Sequence, residues 1–139
     1  MSPSRLFVVQ PLSAGAHLRL EGPQAHYLRN VLRLRQGASV LVFNGADGEW
    51  LAHLTEGREP ALIVEAQARP QREEAGPMLL VAPIKRPRLE WLVEKAVELG
   101  VVRIAPVLTE RSVVRPESSQ RLRRQAIEAA EQCGRLSVP

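Results

Sequence analysis

Cysteine is almost missing from this chain: Cys133 is the only one in 139 residues. One thiol makes no intrachain disulfide and no cysteine zinc cage, so a disulfide scaffold and a zinc finger are both excluded. Lysine is nearly as scarce, with Lys85 and Lys95 the only two among 19 Lys plus Arg. No stretch approaches the ~20 continuous apolar residues that span a bilayer. The short apolar run Leu6-Phe7-Val8-Val9 is followed by no small-residue cleavage site, so no signal peptide is expected. The sequence also lacks the glycine loops that cradle dinucleotides or triphosphates, a nucleophile elbow, and a Cys with a His nearby. The three histidines, His17, His26 and His53, lack metal-ligand spacing, so no metal is expected.

What is present points elsewhere. A hydrophobic fraction of 45% is normal for a folded protein. The length allows one ordinary domain or two very small ones. Net charge is +4 and the sequence pI is 10.2, and nearly every base is arginine. Arginine offers a flat, permanently charged fork that matches phosphate and stacks on bases. A GC-rich genome would produce the same bias through its codons, so the arginines alone permit nucleic-acid binding without establishing it.

The pattern changes near residue 70, and the segment from Arg69 to Pro77 is polar and bracketed by prolines, as an interdomain linker would be. Residues 1–70 read as a first domain and 76–139 as a second. In the first, strands are expected at Leu6–Val9, His17–Leu20, Ser39–Phe43, Glu49–Thr55 and Ala61–Ala66. The segment from Asn44 to Gly48 is a strong turn signal. From Gln24 to Leu32 the spacing is helical, with Pro23 suited to a first helical position. Five short strands and one short helix suggest a small β-barrel. The second domain reads β-α-β-α. Met78–Ala82 is a continuous apolar run, as for a strand buried on both faces. A helix follows from Pro87 with an apolar stripe of Leu89, Leu92, Val93, Ala96 and Val97, stopped by Gly100 as a left-handed cap. Arg103–Leu108 is the next strand, and Glu117–Cys133 a second helix ended by Gly134. So small a parallel sheet cannot have both faces covered by these helices. The expectation is that polypeptide beyond residue 139, or another chain, completes it.

Several residues are placed to carry chemistry. His26, Arg29, Asn30 and Arg33 fall at i, i+3, i+4 and i+7, a polar stripe on the expected first helix. It is either a solvated face or a phosphate contact, since two arginines one turn apart can straddle neighbouring phosphates. Lys85-Arg86-Pro87-Arg88 lies where a strand meets a helix N-terminus, a place that attracts anions. Lys85 and the Thr109-Glu110-Arg111-Ser112 segment follow the carboxyl ends of adjacent strands, where open α/β sheets bind ligands. Arg121, Arg123 and Arg124 read as a solvated basic face, with Arg124 able to pair with Glu128 at i+4. Gln132 and Arg135 are candidates to point back toward the strand-end cleft.

Together these motifs resemble the RsmE family. The resemblance rests on His26 to Arg33 with Gly37 and the Asn44-to-Gly48 turn, then on Lys85, Glu90, Lys95 to Val101, Pro106, Glu110 to Val113, Glu128 to Arg135, and Pro139. It runs through nearly the whole chain in the family's order. It implies an α+β two-domain fold: an N-terminal PUA-like β-barrel joined to the first part of an α/β-knot (SPOUT) domain with a deep trefoil knot. It implies S-adenosylmethionine-dependent methylation of N3 of a uridine in 16S ribosomal RNA of the small ribosomal subunit, by a cytoplasmic homodimer. By resemblance, His26, Arg29 and Arg33 hold RNA, and Lys85, Arg111 and Arg135 line the substrate side of the cleft. Arg111 is the first candidate for the catalytic cation and Arg135 the second.

The sequence departs from the family at one large point. The family's cofactor pocket comes from a glycine-rich loop and a Leu-Arg-x-Glu-Thr-Ala stretch, and neither occurs here. The cofactor-binding residues are therefore expected beyond residue 139, and this segment alone is expected to be inactive. Pro87 is a smaller departure, compatible with a helix start. The competing readings are a non-catalytic basic RNA-binding module and a plain scaffold.

Overall fold

The computed structural model describes residues 2–139 and divides into two compact units between Arg72 and Glu73. Each is built by its own rules.

The first unit contains β1 (Ser4–Phe7), β2 (His17–Arg19), α1 (Gly22–His26), β3 (Ser39–Phe43), β4 (Glu49–Leu54) and β5 (Ala61–Arg69). The strands form one sheet in the order β1-β3-β4-β5-β2, with β1 and β3 parallel and the other neighbours antiparallel. Residues from both edge strands, Leu6 and Leu18, share one buried core with Val40, Val42, Leu62 and Val64, so the sheet is curled around it. No ladder joins β1 to β2 among the described residues. Side chains lie across that gap instead. Gln10 Nε2 donates to the Arg19 carbonyl at 2.9 Å, and Gln24 Nε2 on α1 donates to the Phe7 carbonyl at 3.0 Å. The expected barrel is thus open along one seam. Register shifts at Glu49/Trp50 and Leu51/Ala52 mark bulges in β4, which sharpen the curl.

The expected first helix is not α-helical throughout. After α1 the chain widens into a five-residue π-helical turn, Tyr27–Val31, closed by Leu32 N–H to the Tyr27 carbonyl at 2.9 Å. Leu28, fully buried in the core, anchors this turn. The wider winding breaks the 3.6-residue period on which the polar stripe depended.

Across one end of the sheet runs a second row of paired side chains, three of the four buried. Phe7, Phe43, Glu49 and Arg69 stand opposite one another on β1, β3, β4 and β5. The Phe7 and Phe43 rings meet edge to face, 5.5 Å between centroids. Arg5 stacks over Phe43 at 4.4 Å. Arg5 also donates to Glu49 at 2.6 Å, and Arg69 donates to the other carboxylate oxygen at 2.8 Å. Glu49 is the only buried charged residue of the described chain, and the two guanidiniums supply the partners that a buried carboxylate needs.

The second unit contains β6 (Met78–Val81), α2 (Arg86–Glu98), β7 (Arg103–Pro106) and α3 (Ser119–Cys133). β6 and β7 pair in parallel, Met78 opposite Arg103 through Val81 opposite Pro106. α2 and α3 pack on each other. Their buried positions are Leu89, Val93, Ala96 and Val97 on α2, and Ala126, Ala129 and Ala130 on α3. Pro87 stands in the first turn of α2, and Ser118 caps α3 by accepting from Arg121 N–H. Gly100 and Gly134 end the two helices at φ 88° and 82°, left-handed positions that glycine takes without a Cβ clash. β6 departs from the expected strand buried on both faces. Met78 and Leu80 are 53% and 57% exposed and alternate with half-buried Leu79 and Val81. The alternation has period two, so one face of this sheet is bare in the described chain.

Candidate functional site

In the first unit, the four stripe residues go to different places. His26 and Asn30 are both exposed and bond each other, Asn30 Nδ2 donating to His26 Nδ1 at 2.8 Å. Arg29 turns away to the β4–β5 loop and donates to the Gly57 carbonyl. Arg33 lies just past the π turn with φ 53°, the only described non-glycine residue with positive φ. That backbone costs an L residue about 1–2 kcal/mol, and such strain concentrates where a side chain is being presented. Arg33 and Arg35 are exposed, and neither side chain has a hydrogen-bonding or ionic partner among the described residues. Their neighbours differ: Arg5 and Arg69 share Glu49, and Arg19 meets Glu59. The stripe reading missed Arg35, whose only signal is the alternation Leu32-Arg33-Leu34-Arg35.

In the second unit, the parallel ladder fixes which loops leave together. Val107 N–H donates to the Val81 carbonyl at 2.9 Å, extending the β6–β7 pairing by one residue. The segments that follow, toward Lys85 and toward Arg111, therefore depart from the same sheet edge. Lys85 is the exposed residue preceding the first turn of α2, and its ammonium holds no partner among the described residues; Arg86 beside it pairs with Glu90 at 3.1 Å. Arg111 is exposed at the tip of a tight turn. Ser112 N–H donates to the Thr109 carbonyl at 3.0 Å and closes that turn.

Arg135 is not brought to that edge. Its Nη1 donates to the carbonyls of Val97 and Val101, at 3.0 and 2.8 Å. Its Nε donates to Glu74 at 2.9 Å, and its Nη2 bonds Glu74 and Ser137. All five N–H groups of the guanidinium are used. The side chain is 10% exposed. Val101 precedes β7 and Arg111 follows it, so the two arginines expected to share a cleft stand at opposite ends of the strand. Gln132 likewise lines the groove between α2 and α3 rather than the strand edge. Arg121 is held there by Glu90 and Glu117 at 3.3 and 3.7 Å, and Arg124 makes no pair with Glu128. Burial pushes the Glu74 carboxyl up, but hydrogen bonds from Ser137 and Arg135 and the arginine charge outweigh it, and the group titrates below the usual carboxylate range. Among the described residues, no three His, Cys, Asp or Glu side chains gather as a metal site, and no helix is long and apolar enough to cross a membrane.

Comparison with known proteins gives these two units their context. The family model of an RNA methyltransferase PUA domain matches residues 20–66, and that of an RNA methyltransferase domain matches residues 73–139. The ribosomal RNA small subunit methyltransferase E of Rickettsia conorii is 31% identical over 142 residues, covering 100% of this chain and 58% of the relative. That of Synechocystis is 32% identical over 138 residues, covering 97% of this chain and 46% of the relative. Among solved structures, a methyltransferase from Legionella pneumophila in complex with the cofactor SAM superposes with a TM-score of 0.86 at 27% identity, covering 100% of this chain and 61% of that one. The small subunit methyltransferase E of Neisseria gonorrhoeae, bound to S-adenosyl methionine, gives 0.79 at 27% identity, covering 99% and 60%. The chain thus spans about half the length of the curated relatives it matches. In one order, its two units match an RNA methyltransferase PUA domain and an RNA methyltransferase domain, the arrangement in which it is similar to the small subunit methyltransferase E proteins.

Proposed function

We propose that this chain supplies the RNA-handling part of an S-adenosylmethionine-dependent methyltransferase acting on N3 of a uridine in 16S ribosomal RNA of the small ribosomal subunit. The observation that carries the reading is the distribution of partners among the arginines. In the unit whose sequence matches a PUA domain, Arg33 and Arg35 stand exposed without a carboxylate, while Arg5 and Arg69 join strands through Glu49. Unpaired guanidiniums on one surface are what a phosphate backbone requires, and Arg29 ties that surface to the β4–β5 loop. His26 and its partner Asn30 lie on the same turn and are assigned to the RNA contact with them.

On the second unit, Arg111 and Lys85 leave one sheet edge with free charges. Uridine N3 carries a proton that must be lost as the methyl arrives. A cation beside the base's carbonyl oxygen favours the anionic ring, and Arg111 is assigned that role. Lys85 is assigned to the adjoining phosphate. Arg135 is assigned a structural task, since its donors are consumed within the unit.

S-adenosylmethionine supplies an electrophilic methyl group when bound. These residues do not by themselves fit it. Neither segment leaving the β6–β7 edge contains a glycine that would let backbone approach a nucleoside. Among the described residues, the two buried side-chain polar atoms without a hydrogen bond, Arg121 Nε and Gln125 Oε1, lie on α3. We therefore assign the cofactor pocket, the knot and the homodimer contact to the portion of these methyltransferases that this chain does not match. The test is methylation of small-subunit rRNA by the gene product, read by mass spectrometry of nucleosides. N3-methyluridine that disappears with Arg111→Ala while RNA affinity stays within about threefold supports the reading. RNA binding with no methyl transfer favours the non-catalytic module.

A further inference from the structure

We infer that Ser112 is a positioning residue whose hydroxyl sets the direction of the Arg111 side chain. This rests on the reading of Arg111 given above and extends it. Ser112 Oγ accepts the Thr109 N–H at 3.0 Å and lies 2.9 Å from Thr109 Oγ1, while Ser112 N–H donates to the Thr109 carbonyl at 3.0 Å. Three hydrogen bonds thus join the two ends of a four-residue turn. Glu110 and Arg111 occupy its centre, exposed and without a partner among the described residues. The turn is pinned although its surroundings are not regular: residues 112–117 form no helix or strand, and Val113 beside it is 96% exposed. The backbone bond alone closes a turn. The two hydroxyl contacts restrict it to one geometry, which is what an arginine must have to meet a single carbonyl oxygen.

Ser112→Ala removes the hydroxyl contacts and leaves the backbone bond, and Ser112→Thr keeps a hydroxyl. Two measurements separate this inference from the reading on which it rests. In the 139-residue chain, trypsin cleavage after Arg111 is timed against cleavage after the exposed Arg72, with unstructured peptides spanning each site correcting for the changed residue. Ser112→Ala is expected to raise the Arg111 rate about tenfold relative to Arg72, and Ser112→Thr to restore it. Equal rates in all three overturn the inference. In the gene product assayed for methyl transfer, Ser112→Ala is expected to lower kcat about tenfold with KM for RNA unchanged, and to have no further effect in an Arg111→Ala background. An equal loss in both backgrounds overturns the positioning role and leaves Arg111 standing. An inert Arg111→Ala overturns both.

Discussion

Glu74 and Arg135 lie 61 residues apart in sequence and meet at 2.9 Å, Arg135 Nε donating to Glu74 Oε2. The same guanidinium holds the last turn of α2 and the strand entry at Val101. One side chain therefore fastens the segment before β6, the end of α2 and the residues after α3.

From this clamp follows a stability prediction for the second unit. Glu74→Gln leaves a nearly buried guanidinium without its anion and should cost about 2 kcal/mol. Arg135→Lys should cost at least as much, because a point charge with three donors cannot serve five bonds in two planar directions. Urea unfolding of the 139-residue chain measures both. The folded Glu74 carboxyl titrates below its ordinary 4.5. Its contribution is therefore complete above pH 4.5 and is lost as pH falls through the lower folded value. Glu74→Gln should flatten that acid limb.

In the first unit, Glu49 is 3% exposed between Arg5 and Arg69. Glu49→Gln should destabilise by about 3–5 kcal/mol, since it strands two partly buried cations. The exposed pair Arg19–Glu59 is the control, and Glu59→Gln should change stability by less than about 1 kcal/mol. Equal effects would place the ion triad outside the folding core.

Much of this was legible in the residues. Strands could be read from alternation, and helix ends from Pro87, Gly100 and Gly134, because local sterics decide them. The π turn was not, because the spacing of His26, Arg29, Asn30 and Arg33 is also a good α-helical pattern. Only the burial of Leu28 against the curled sheet favours the wider winding. The partners of Arg135 escape the sequence for a related reason. They are two main-chain carbonyls and a carboxylate from the linker, none of which carries a sequence signal. Glu49 reads as a strand-end charge, and nothing in the pattern tells that two distant arginines converge on it.

Arg33 offers a trade between stability and binding. Arg33→Gly relieves the left-handed backbone and should raise stability by about 1 kcal/mol while weakening RNA binding. Thermal unfolding and a filter-binding assay on the same protein check both. Loss of stability would contradict the strain argument.

S-adenosylmethionine should give no heat of binding in isothermal titration against the 139-residue chain, because neither strand-edge segment provides a cradle for it. Saturable binding to this chain would place the cofactor among these residues and refute that assignment.

The most direct test concerns the exposed arginines. Binding of the 139-residue chain to a small-subunit rRNA fragment is followed by fluorescence anisotropy across a salt series. The double change Arg33→Ala with Arg35→Ala should reduce the slope of log affinity against log salt by about 1.5, the release expected for two phosphate contacts. An unchanged slope and affinity would contradict the account.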